Sequence, residues 1–260
     1  MRAGLSIRVG VVMGLTALMM GGCYFSNDMF RAKFSRSEEL TAPLTNITAL
    51  DVTTNVGKIQ LEAAEIAEVR IAAEIKVQAS TEEKAQELAE GVRIVAEPTG
   101  QTLTIKAIKP PDFGRNQLSV DFTITAPPAL ALNCTANVGD IRTEGFTKRV
   151  KATVDVGTIN CTGLRDEIDL HTNVGDVRAT YADDAPAALK VTMDTNVGDV
   201  DFTGPREISA HLTAAANVGS ISTDRPLSVR GSLKHSLKAS LGKDEGYVDL
   251  NTNVGSIRIR

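Results

Sequence analysis

HTNVGDVRATY, residues 171–181, contains a tripeptide, Asn-Val-Gly, that returns along most of the 260-residue chain. Aligned on its glycine, the phrase recurs at Gly57, Gly139, Gly157, Gly175, Gly198, Gly219 and Gly255, so the steps from Gly139 onward are 18, 18, 23, 21 and 36 residues. That is an internal repeat, too short for two-helix units and too long for a hexapeptide coil. Within the last, doubled step, VRGSL (Val229 to Leu233) reads as a degenerate copy.

The flanks of each glycine carry the fold. Seven positions before it stand Leu50, Leu132, Val150, Ile168, Val191, Leu212 and Val248; five before stand Val52, Cys134, Ala152, Leu170, Met193, Ala214 and Leu250. The position between them is polar in every copy: Asp51, Asn133, Lys151, Asp169, Thr192, Thr213 and Asp249. This period-two alternation predicts a strand with one wet face. An aliphatic column resumes two residues after the glycine with Ile59, Ile141, Ile159, Val177, Val200, Ile221 and Ile257. Counted from the valine before each glycine, taken as inward, the alternation slips there, so the glycine is expected to turn a corner, a place that tolerates positive φ.

Two strands and a corner cannot bury an apolar face alone, but stacked copies can. An 18-residue circuit of extended chain is about 60 Å around, and neighbouring coils would pair about 4.8 Å apart. The expectation is an all-β chain, a single-stranded β-solenoid of about 18–23 residues per coil. Asn55, Asn137, Asn173, Asn196, Asn217 and Asn253, interrupted only by Asp155, are expected to form a structural amide ladder along the corner. Between the first two copies, STEEKAQELAEG predicts a helix with Ser80 as N-cap and Glu83 at capping-box distance. VRIVAEP and TLTIKAI around Thr99-Gly100 predict a hairpin, and SVDFTITAPP a further strand. This helix and hairpin are expected to cover the open edge of the first coil.

The N-terminus reads as an export signal: Arg2 and Arg8, then an apolar run from Val9 to Met20 too short to span a bilayer, then Gly21, Gly22 and Cys23. Residues 1–22 are the expected lipoprotein signal peptide, Cys23 the lipidation site, 23–45 a polar tether and 46–260 the folded domain. Tyr24 follows Cys23 where inner-membrane lipoproteins often carry Asp, so the expected location is the cell envelope, lipid-anchored, on the outer-membrane side. Of the three cysteines, Cys134 and Cys161 then remain in an oxidising compartment. They either pair as a disulfide or stand as two buried thiols.

SVDFTITAPP, the repeated strand-N-x-G-[DS]-[IV]-strand unit and the closing YVDLNTNVGSIRIR together resemble the bacterial domains called "putative adhesin", a family of unknown function related to auto-transporter adhesin heads. The resemblance spans roughly residues 47–260. It implies an exported β-solenoid, brings no catalytic residues with it, and allows a role in sensing envelope stress.

The chemistry the residues suggest is sparse. Trp is absent, aromatics are 4% and the net charge is -4, which argues against nucleic acid and against stacking platforms. Asp140, Asp176 and Asp199, each one residue after its glycine, with Asp155 and Asp201 near, are the best carboxylate set for a glycan-processing enzyme or a cation. Thr158, Ser220 and Ser256 interrupt that column, and a solvated polar corner fits it better. His171, His211 and His235 occupy different offsets and are not expected to meet at a metal. Thr147 to Lys151 is a basic spot, and Arg142, Arg178 and Arg258 an outward stripe. The reading is therefore a lipid-anchored, non-enzymatic binding or scaffold module without cofactor or metal. It would hold the membrane through its lipid and take a glycan or protein ligand, its oligomeric state open. A polysaccharide lyase or hydrolase on the same scaffold and an envelope-stress sensor are the alternatives.

Overall fold

The computed structural model describes residues 32–226, 228–233 and 235–260. The expected signal peptide, the expected lipidation site Cys23 and the first part of the segment read as a tether lie outside them. In chain order come β1 (Ala32–Pro43), β2 (Ala49–Val56), β3 (Ile59–Ala63), β4 (Glu68–Ala79), α1 (Glu82–Gly91), β5 (Arg93–Thr99), β6 (Thr102–Ile108) and β7 (Gln117–Ala126). Five corner units follow: β8 (Ala131–Val138) with β9 (Ile141–Glu144), β10 (Val150–Val156) with β11 (Ile159–Leu164), β12 (Ile168–Val174) with β13 (Val177–Tyr181), β14 (Lys190–Val197) with β15 (Val200–Thr203), and β16 (Ala210–Val218) with β17 (Ile221–Thr223). The chain ends with β18 (Ser228–Leu233), β19 (Ser236–Leu241), β20 (Gly246–Val254) and β21 (Ile257–Ile259).

The molecule is a β-solenoid. The strands before the corners, extended by β18–β19 at one end and β6–β5 at the other, build one sheet, in the order β18-β19-β16-β20-β14-β12-β10-β8-β2-β6-β5; the strands after them, extended by β7, β4 and β1, build the other, β1-β4-β7-β3-β9-β11-β13-β15-β21-β17. Neighbouring copies pair in parallel and in phase on their glycines: Leu132, Val150, Ile168 and Val191 lie side by side, as do Cys134, Ala152, Leu170 and Met193. These columns, with Ile141, Ile159, Val177 and Val200 opposite, are buried between the sheets. Phe202 fills the core at the fifth copy and meets Tyr181 edge to face, centroids 6.0 Å apart.

Several expectations are corrected. The inward column nearest the corner stands three residues before the glycine (Thr54, Ala136, Val154, Thr172, Thr195, Ala216, Thr252), whereas the valine just before each glycine faces solvent, 40% to 62% exposed. Two successive outward residues, not one slipped step, turn the corner. The stack also departs from chain order. β20 lies between β14 and β16, with Val248 beside both Val191 and Leu212, and β21 lies between β15 and β17. The last copy is thus the sixth coil, and the copy at Gly219 is the seventh. VRGSL is no coil copy: as β18 it pairs antiparallel with β19, which pairs antiparallel with β16, closing that end of the sheet.

At the other end, residues 32–43, read as tether, form β1, paired with β4 along its length. Its signature is blurred because Arg36 and Glu38 occupy positions that face the sheet's inner side, where they pair with each other at 2.8 Å. Arg36 also donates to the carbonyls of Ala89 and Val92, covering the C-terminal end of α1. The helix is capped by Thr81, one residue later than Ser80, its hydroxyl accepting from the Lys84 amide at 3.2 Å. Helix α1 packs on β1 and β4 through Ala85, Leu88 and Ala89. The hairpin β5–β6 extends the other sheet beyond β2, and an apolar cavity of about 470 Å³ remains between β1 and β5.

Candidate binding face

Each corner is closed by hydrogen bonds to the coils above and below. The amide of Gly139 donates to the carbonyl of Val156, Gly157 to Val174, Gly175 to Val197 and Gly198 to Val254, all at 2.8–2.9 Å. The hydroxyls of Thr172, Thr195 and Thr252 donate to the carbonyls of Gly157, Gly175 and Gly198 at 2.9–3.1 Å. This threonine column was not singled out in the sequence; the continuation of the period-two pattern from positions seven and five to position three is the signal that marks it.

The asparagines form two ladders. Asn217 donates from Nδ2 to Oδ1 of Asn253, Asn253 to Asn196 and Asn196 to Asn173, at 2.6–2.7 Å. Asn137 donates to Asn55 at 2.6 Å. Asp155 stands between the two runs, and a carboxylate has no hydrogen to pass on. Asp155→Asn is expected to join them and to raise stability by about 0.5–1 kcal/mol, seen as a higher midpoint in urea at unchanged slope. An unchanged midpoint would show that the break is inert.

The carboxylates singled out after the glycines are spread along the corner, each engaged by the following coil. Asp140 Oδ1 accepts from the Thr158 amide, Asp176 from Asp199 and Asp199 from Ser256, at 2.8–3.0 Å. Arg178 joins Asp176 to Asp201, and Arg258 joins Asp199 to Asp201, while Arg142 pairs with Glu144. Arg149 and Lys151 of the basic spot lie 3.4–3.7 Å from Glu167 and Asp169. Among the described residues no group of three or more His, Cys, Asp and Glu is arranged to hold a metal ion. His171, His211 and His235 lie on β12, on β16 and just before β19; His211 faces Asp244.

Cys134 and Cys161 are free thiols, fully buried, on opposite sheets. Burial pushes both thiols up, Cys161 to about 12, so neither is a nucleophile at neutral pH.

The outer face of the sheet built from the longer strands before the corners carries a polar depression of about 450 Å³ that gathers residues from four coils. His171 stands at its centre. Its Nε2 contacts Asp169 Oδ1 on the same strand, and its Nδ1 contacts Asp194 Oδ2 on the neighbouring coil at 3.0 Å. Asn251 donates to Asp194 at 2.8 Å, and Asp155, Asn173 and Asn196 form the rim beside the corner. An acceptor at each ring nitrogen favours the protonated imidazole: the bond to Asp194, then that to Asp169, raises its pKa against the opposing effect of burial. For Asp194, burial pushes the carboxyl up, but bonds from His171 and Asn251 outweigh it and the net shift is downward.

A group whose folded pKa is raised stabilises fully below its unfolded value, near pH 6.5, and loses that contribution as pH rises through the folded pKa. His171→Gln is therefore expected to cost about 0.5–1 kcal/mol near pH 5.5, discounted for partial exposure, and less by pH 9. Paired thermal melts across that range measure it; a pH-independent difference would show that folding leaves the imidazole's hold on its proton unchanged.

The family described as Toastrack DUF4097 matches residues 24–260. Among solved structures, a "putative cell adhesion protein" from Clostridium sporogenes is similar at 15% identity and a TM-score of 0.52, covering 87% of this chain and 99% of that one. A "putative adhesin" from Bacteroides fragilis is similar at 15% identity and a TM-score of 0.41, covering 88% of this chain and 97% of that one. No curated protein matches.

Proposed function

The chain belongs to the Toastrack DUF4097 family, and from that premise we propose that it is a non-enzymatic binding module of the cell envelope, anchored by a lipid on Cys23. It presents the polar outer face of its long-strand sheet to an extended ligand. The observation that carries this reading is the depression around His171: charged and amide groups from β10, β12, β14 and β20 lie in adjacent rows at the coil spacing. Such a surface suits a polyhydroxylated chain, a glycan whose hydroxyls bond to successive rows, with affinity spread over many weak contacts rather than concentrated in a pocket.

Hydrolysis or elimination would need two convergent carboxylates with room for water or sugar between them. Asp140, Asp176 and Asp199 instead each accept a backbone amide from the next coil. The similar protein from Clostridium sporogenes, described as one of cell adhesion, agrees with binding.

A glycan array probed with the full chain, beside Asn251→Ala and His171→Gln variants, tests the proposal. Binding to a glycan class that either variant weakens about tenfold supports it. Turnover of any polysaccharide, with or without calcium, overturns it. The anchor is tested separately by metabolic labelling with a fatty-acid analogue, which Cys23→Ser should abolish.

A further inference from the structure

The depression around His171 lies between two rows of side chains, two and four residues before the glycines. One row runs from Asp155 to Asn253; the other, facing it, is Thr153, His171, Asp194 and Asn251, set side by side by strand register. Three steps of about 4.8 Å give it a length of about 14 Å along the stack, across the strands rather than along one.

The groups that line it are not equally engaged. Asp194 accepts from Asn251 at 2.8 Å and contacts His171 Nδ1 at 3.0 Å, and the asparagines of the first row are joined to one another. Asp155 is exposed, and no hydrogen bond or ion pair reaches its carboxylate from any described residue. The ionisable lining groups are Asp155, His171 and Asp194, and two carboxylates against at most one cation leave the depression negative. The basic spot next to it does not reverse that sign, because Arg149 and Lys151 lie 3.4–3.7 Å from carboxylates of their own, Glu167 and Asp169.

Asp155 also departs from the rule of its own repeat. The six other copies carry Asn at this position, and the carboxylate interrupts the amide ladder where an Asn would have a hydrogen to donate. A residue that gives up a rung kept by the rest of the chain, on the wall of a depression, is placed where function and stability compete. Resting on the glycan reading above, we propose that Asp155 is the specificity-determining residue of this face, and that the ligand is a glycan carrying a free amino group. The ammonium of a non-acetylated amino sugar pairs with the Asp155 carboxylate, while the sugar hydroxyls bond to the amide and hydroxyl groups of the two rows. An N-acetylated sugar lacks that charge, and a uronic acid is repelled by it.

The test is isothermal titration calorimetry of the full chain at about pH 6, where an amino group is protonated, with the tetramer of glucosamine and the tetramer of N-acetylglucosamine. The glucosamine tetramer is expected to bind about tenfold more tightly, and Asp155→Asn to remove that preference while leaving the acetylated tetramer bound as before. The variant's midpoint in urea should be no lower than that of the unchanged chain, so that a lost preference is not lost folding. Equal affinity for the two tetramers, or a preference that survives Asp155→Asn, overturns the assignment of the ammonium to Asp155 and leaves the glycan reading standing. If neither tetramer binds, the amino-sugar proposal falls, and the glycan array decides separately whether the glycan reading falls with it. Tetralysine bound as tightly, and with the same dependence on Asp155, would overturn the proposal in favour of a basic peptide.

Discussion

Alanine in place of Gly175 is expected to destabilise the protein by about 3–6 kcal/mol, a large share of the stability of an ordinary domain. Two costs add. The backbone at Gly175 has φ +140°, where a side chain is strained. A Cβ there would also stand 2.0 Å from the carbonyl oxygen of Gly157, in the coil beneath. That neighbour cannot yield, because the same carbonyl accepts the Thr172 hydroxyl and its backbone is one rung of the ladder. Gly100→Ala separates the two costs: φ is +64° at the tip of the β5–β6 hairpin, and nothing lies within 4 Å of the added carbon. It should cost only about 1 kcal/mol. If urea melts gave the two variants equal losses, close stacking of the corners would not be what demands glycine.

Removal of residues 246–260 is expected to do more than trim an end. The deletion takes β20 and β21 out of the interior of both sheets. With them go Val248, Leu250, Ile257 and Ile259, each at most 1% exposed, worth roughly 6–12 kcal/mol of apolar burial. It also opens both flanking strands, β14 and β16. Residues 205–245 should then become protease-sensitive while a resistant fragment ends near Thr203. The outcome that sinks this is a shortened chain that melts as the intact one does and resists cleavage after Thr203, since β16 would then have closed directly onto β14.

How far the sequence speaks for the fold depends on what each residue has to satisfy. The columns headed by Leu50, Val52 and Ile59 are legible because every coil makes the same demand: an aliphatic group between two sheets. That sameness is why the order of stacking is not legible. Val248 fits beside Val191 as well as Leu212 does, so local pattern cannot place β20. Strand β1 is hidden because Arg36 serves the end of α1, some fifty residues away, in a position where a strand would announce itself with an aliphatic residue. The corner valines mislead in the opposite sense: they are apolar, yet the turn directs them outward.

Of the candidate site, His171, Asp169, Asp155 and the ladder asparagines stand out in the sequence, whereas Asp194 and Asn251 do not. Asp169 and His171 are two apart on one strand, whereas Asp194 and Asn251 arrive from coils 23 and 80 residues downstream in the sequence. No short-range spacing reports such a meeting.

The interleaving of β20 and β21 sets the timing of folding. Coils can assemble as the chain emerges during synthesis, as far as the corner at Gly198. The segment carrying Gly219 must then wait, its strands without their partner, until residues 246–260 have been made and can slide in ahead of it. A message cut short before Gly246 would therefore leave residues 205–245 without their partner strands and open to degradation, so that β16 is kept only in a chain that carries β20 and β21 as well.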